Sequence, residues 1–172
     1  MRADARLAVS LRPMADTTAD YAALQRWFHE PELQEWVWCD EKGEPPVSLE
    51  RVREKYGPRV THPTDVFPWF ILRDGQPIGF IQYYFQQADR VGLAMWIGEK
   101  AARNHGFGAE ALRQMVQIIH RQHPEVRTLF IDPETGNLRA IHCYQRAGFQ
   151  PVTEVLDETG ARCLLLERVS TD

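Results

Sequence analysis

The sequence predicts an α/β (α+β) domain with a mixed central sheet of about seven strands and helices on both faces. Three observations predict it: the apolar period switches repeatedly between 2 and 3.6, tight turns join some strands, and helices separate others. A chain of 172 residues suffices for one core, so residues 1–172 are expected to form a single domain.

Taken in order, residues 7–14 (LAVSLRPM) read as a first strand. Residues 17–29 read as a helix capped by Thr17 or Thr18, with Tyr21, Leu24 and Phe28 on one face. Gly43, Pro45 and Pro46 forbid regular structure in 39–48, which reads as a surface loop. Ser48 then caps a helix over 49–56. Residues 66–72 and 77–85 are extended, apolar and joined at Asp74-Gly75, a hairpin pattern. A strand over 91–98 follows, and then a helix over 107–120 with Leu112, Met115, Val116 and Ile119 along one stripe. The chain finishes with a strand over 126–132, a helix over 138–147 ended by Gly148, and two strands turning at 157–160. The order is βααβββαβαββ.

Composition narrows the function classes. With 44% hydrophobic and 26% charged residues and a mean hydropathy of -0.42, the chain is neither disordered nor a membrane protein. No apolar run approaches the roughly 18 residues that cross a bilayer, and charge, including Arg2 and Arg6, interrupts the apolar stretches at the N-terminus, so a cytoplasmic location is expected. Cys39, Cys143 and Cys163 are odd in number and far apart, which argues against a disulfide framework, and no Cys/His spacing suggests a metal. A net charge of -4 without a Lys/Arg cluster excludes a nucleic-acid face and favours a cationic partner.

The sharpest local signal is Arg103-Asn104-His105-Gly106-Phe107-Gly108, between a strand and the most periodic helix. Two glycines let backbone approach a ligand closely, and the N–H groups that open a helix attract anions, so the segment reads as a phosphate cradle. Downstream, Asn137, Ala140, Tyr144, Gly148 and Phe149 fall in an N-x-x-A-x-x-x-Y-x-x-x-G-F pattern. Together the two segments resemble the GNAT superfamily of N-acetyltransferases, whose pyrophosphate loop is R-x-x-G-x-G. The resemblance implies the GNAT fold, with acetyl-CoA in a wedge where the fourth and fifth strands splay apart.

Further segments, among them 34–38 (QEWVW), 67–71 (FPWFI), 75–80 (GQPIGF) and Asp132-Pro133, make the chain similar to the aminoglycoside 6'-N-acetyltransferases. That resemblance implies transfer of acetyl directly to a 6'-amine in a ternary complex, and antibiotic resistance. Another acceptor amine (a siderophore precursor, a polyamine or a protein N-terminus) and a non-catalytic acyl-CoA-binding module are the alternatives. Monomer and homodimer are both compatible with it.

The resemblance also implies roles for particular residues. Arg103 to Gly108, Asn137, Ala140, Tyr144 and the backbone of Met95, Trp96 and Ile97 would hold acetyl-CoA. Tyr144 would act as general acid or sulfur hydrogen-bond donor, against a packing role. Asn137 would contact the pantetheine arm, cap a helix, or do both. Asp132, at the carboxyl end of a strand, would hold the acceptor's cationic amine, against a turn-capping role. Trp36, Trp38 and Trp69 form a candidate aromatic wall for the acceptor, with Glu35, Asp40, Glu41, Asp89, Asp132 and Glu134 as candidate acidic groups. One position departs from the aminoglycoside group: Ala94 stands inside the fourth strand where an aspartate base is expected.

Overall fold

The computed structural model describes residues 9–37 and 47–170. Seven strands form one sheet: β1 (Val9–Pro13), β2 (Val66–Arg73), β3 (Gln76–Gln87), β4 (Arg90–Ile97), β5 (Thr128–Ile131), β6 (Gln150–Leu156) and β7 (Arg162–Val169), in the spatial order β1-β2-β3-β4-β5-β7-β6. Neighbours are antiparallel except β4 and β5, which run parallel for three residue pairs, Arg90 to Gly92 against Thr128 to Phe130. The helices are α1 (Thr18–Phe28), α2 (Pro31–Gln34), α3 (Leu49–Thr61), α4 (Phe107–Gln122) and α5 (Leu138–Arg146).

Alternation along the strands divides the core in two. Ile81, Tyr83, Val91, Leu93, Leu129 and Ile131 face α4 and α5 in one cluster, while Phe70, Leu72 and Phe80 face α1 and α3 in the other. Leu112, Met115 and Ile119 of α4 are fully buried, each stabilising the fold by about 1.5–3 kcal/mol relative to an exposed side chain.

Local chemistry sets the element ends. Thr17 caps α1 by accepting from the Asp20 N–H, and Ser48 caps α3 by accepting from the Arg51 N–H. The β2–β3 turn has positive φ at both Asp74 (50°) and Gly75 (76°), the geometry that matches strand twist. Two elements differ from expectation. The third helix runs on to Thr61 rather than stopping at Tyr56: Pro58 removes only one N–H, and the helix recovers through His62 N–H to the Pro58 carbonyl at 3.0 Å. The four-residue α2, absent from the sequence reading, starts on Pro31, which suits a first helical position, and packs Leu33 into the core. The expected loop over 39–48 lies largely outside the described residues, as do Trp38, Cys39, Asp40 and Glu41.

Candidate active site

The site is a wedge that opens because β4 outlives its pairing with β5. Gly92 opposite Phe130 is the last pair. From Ala94 to Ile97 the strand is partly exposed, while Val91 to Leu93 are buried. At the mouth, Asn104 (φ 63°) and Gly106 (φ 82°) turn the chain through the left-handed region, and Gly106 is the N-cap of α4. The first N–H groups of α4 therefore lack intrahelical partners, beside exposed Asn104 and His105. Phe107 is buried. Gly108 has a packing reason besides backbone approach: a Cβ there would lie 3.0 Å from both Cys143 Sγ and Met95 Cε.

The Arg103 guanidinium turns away from this mouth. It is 8% exposed and donates to the carbonyls of Ile97 (3.0 Å) and Gly98 (2.9 Å), to Glu30 (2.6 Å) and to Glu32 (2.8 Å). Lys100 adds a 2.9 Å pair with Glu32 and holds that carboxyl below its ordinary range. The Arg103 side chain, one of the residues expected to hold acetyl-CoA, is thus engaged in tying the end of β4 to the start of α2, and the N–H groups opening α4 remain the loop's candidate anion-binding groups. Trp96 is likewise committed to packing, stacked on Phe80 at 4.4 Å.

Tyr144, on the inner face of α5, is 7% exposed, and its hydroxyl has no hydrogen-bond partner among the described residues. Burial, with Cys143 and Asp132 nearby, raises its pKa, so it stays a proton donor. Asn137 caps α5, its Oδ1 accepting from the Ala140 N–H at 3.3 Å. Burial pushes the Cys143 thiol up to about 11, which suits a packed thiol rather than a nucleophile.

Asp132 follows β5 at the wedge. Solvent reaches its carboxylate, yet the surrounding walls desolvate it and Asp157 repels it, so its pKa is raised. Trp36 brings its ring edge to 3.6 Å from the position of a Cβ on Gly136, against the same loop, and Glu134 pairs there with Cys163 of β7. Two other residues expected in this group lie elsewhere. Trp69 is on the α4 face of the sheet, in a separate hollow of ≈ 260 Å³ with Phe67, Tyr83 and His123. Asp89 precedes β4, at the end of the strand opposite the wedge mouth, and its carbonyl accepts from Arg127 and Thr128. Both follow from strand geometry: parity puts Trp69 with Ile71 rather than Phe70, and parallel β4 and β5 start at one end of the sheet and finish at the other.

The sequence reading missed Tyr84. It is the direct cross-strand partner of Gly92, and its ring fills the space of the missing Cβ, ring carbons and hydroxyl falling 2.3–2.6 Å from that position. Its signal is a glycine opposite a tyrosine, and that pair appears only once the hairpin register is known.

A wedge between parallel strands, an amide-lined loop at a helix start and a free tyrosine hydroxyl are features that an acyltransferase site would need. The Acetyltransferase (GNAT) domain family matches residues 16–156, and the chain belongs to it. It is 32% identical over 154 residues to an aminoglycoside N(6')-acetyltransferase type 1 of Klebsiella pneumoniae, covering 83% of this chain and 74% of that one. Over 59 residues it is 34% identical to a kanamycin resistance protein of Rhizobium radiobacter. Among solved structures, AAC(6')-Ib in complex with ribostamycin and coenzyme A aligns with a TM-score of 0.80 at 28% identity, covering 94% of this chain and 93% of that one. A spermidine N-acetyltransferase from Vibrio cholerae shares the fold, with a TM-score of 0.77 at 13% identity. The protein is accordingly an acetyl-CoA-dependent acyltransferase.

Proposed function

We propose that the protein transfers acetyl from acetyl-CoA to the 6'-amine of an aminoglycoside, directly and in a ternary complex, in the reducing cytoplasm that free Cys143 and Cys163 suit, so that it confers resistance. The observation that carries the acyl-transfer reading is the wedge itself, with the amide-lined Gly106 to Gly108 turn at its mouth and Tyr144 buried beside Leu93 and Ile131 of its two strands. The relatives named above support the acceptor. Acetyl-CoA supplies an activated acyl group and a thiolate leaving group. The N–H groups opening α4 hold its diphosphate, Asp132 binds the acceptor ammonium and takes its proton, and the Tyr144 hydroxyl donates to the departing sulfur.

One observation favours a second acceptor class, an amine with few other positive charges. Ala94 brings no carboxylate, and its cross-strand partner Gln82 accepts a 3.4 Å hydrogen bond from Arg59, a cation with no salt-bridge partner among the described residues. A thiol-release assay with acetyl-CoA and a panel of kanamycin, spermidine and simple monoamines tests both. Turnover with kanamycin supports the first reading, turnover confined to monoamines the second, and no release with any amine refutes acetyl transfer.

A further inference from the structure

We infer that the Tyr84 hydroxyl belongs to the acceptor site, where it holds the attacking amine against Asp132. The inference rests on the acyl-transfer reading above and adds a contact residue to it. The donor elements lie on one side of the sheet: α4 with its amide-lined start, α5 with Tyr144, and the core cluster that includes both. An acceptor therefore reaches the apex of the wedge from the opposite side. On that side alternation places Gln82 and Tyr84 of β3, Gly92 and Ala94 of β4, and Phe130 of β5.

At the apex Tyr84 is the polar group. Its ring meets Phe130 edge-on at 5.9 Å and lies over Gly92, the final residue of β4 paired with β5, so the phenol sits where the strands part. Its hydroxyl is without a hydrogen-bond partner among the described residues. Burial, with Asp132 and Glu158 as nearby negative charges, pushes it up to about 12 against the opposing pull of Arg90, so it remains a neutral phenol able to accept from an ammonium. Arg90 is itself tied to Glu167 at 2.7 Å and lies over the Phe130 ring at 4.6 Å, which leaves Asp132 to face the acceptor's charge. Gly92 is required for this placement, because any Cβ would collide with the ring. With Ala94 unable to provide a polar group on the next inward position of β4, Tyr84 and Asp132 supply the hydrogen-bonding partners for a primary ammonium.

The test is Tyr84→Phe, which keeps the ring packing against Gly92 and Phe130. Using kanamycin and a monoamine as acceptors, acceptor KM should rise about tenfold, the loss expected for one hydrogen bond to a charged group, with acetyl-CoA KM and melting temperature unchanged. Gly92→Ala, which displaces the ring, should raise acceptor KM in the wild-type background and add little to Tyr84→Ala. An active Tyr84→Phe enzyme with unaltered acceptor KM overturns the inference and leaves acetyl transfer standing. Wild-type protein that releases no thiol with any amine overturns both.

Discussion

Replacing Arg103 by Met separates the two roles an arginine can have at this loop. The variant keeps the apolar stem and removes the guanidinium, leaving the carbonyls of Ile97 and Gly98 without the donors that now sit at 3.0 and 2.9 Å. Each charge-assisted bond contributes about 1.5 kcal/mol at the low end of its range, so the pair accounts for about 3 kcal/mol. Glu32, 46% exposed in its side chain, keeps its pair with Lys100 and adds little. For a domain of this size 1 kcal/mol moves Tm by about 2–4 °C, which gives a fall of about 6–12 °C. Thermal melting followed by circular dichroism measures it, alongside acetyl-CoA titration of the folded variant. A Tm within about 2 °C of wild type, combined with a large loss of acetyl-CoA affinity, would refute the structural assignment and return the side chain to the diphosphate.

Three other substitutions probe the site. Gly106→Ala forces a side chain into φ 82°, at a cost of about 1–2 kcal/mol; a melt should show that loss and kinetics a severalfold rise in acetyl-CoA KM. Tyr144→Phe should lower kcat while leaving acetyl-CoA KM nearly unchanged, and unchanged turnover would remove the hydroxyl from the reaction. Asp132→Asn should raise acceptor KM and abolish the acid limb of kcat/KM. Because burial raises the Asp132 pKa, the wild-type limb should lie above the ordinary carboxylate range, activity falling as pH drops through it. A raised folded-state carboxyl weakens the fold above that pKa and ceases to do so as pH falls, so the Asn variant should melt no lower than wild type at pH 7.

Much of the fold was legible because its signals are local. Period, capping Thr17 and Ser48, and the Asp74-Gly75 turn depend on neighbours within a few residues, and the element order follows from them. The glycine turn that opens α4 and the position of Tyr144 on α5 were legible for a similar reason, their motifs being contiguous. What escaped depends on partners distant in sequence. Nothing near Arg103 reveals that Glu30 and Glu32, some seventy residues earlier, take up its guanidinium. Trp69 and Trp36 look alike as tryptophans, but parity along β2 turns Trp69 to the α4 face, whereas Trp36 follows α2 and lies beside Gly136. Asp89 seemed close to the site because it precedes β4, but a strand carries its two ends well apart. Tyr84 hid in an apolar run whose significance appears once the register with Gly92 is known.

The three-rung pairing of β4 with β5 has a consequence for how the protein keeps from aggregating. Beyond Gly92 the chain carries a bare strand edge, the kind of surface that recruits foreign strands. Here that edge lines the wedge proposed for the coenzyme, so a bound coenzyme would cover it. Amides of Leu93 to Ile97 on that edge should exchange with deuterated water faster in the empty protein than in the coenzyme-loaded one, so the slot would report its own occupancy.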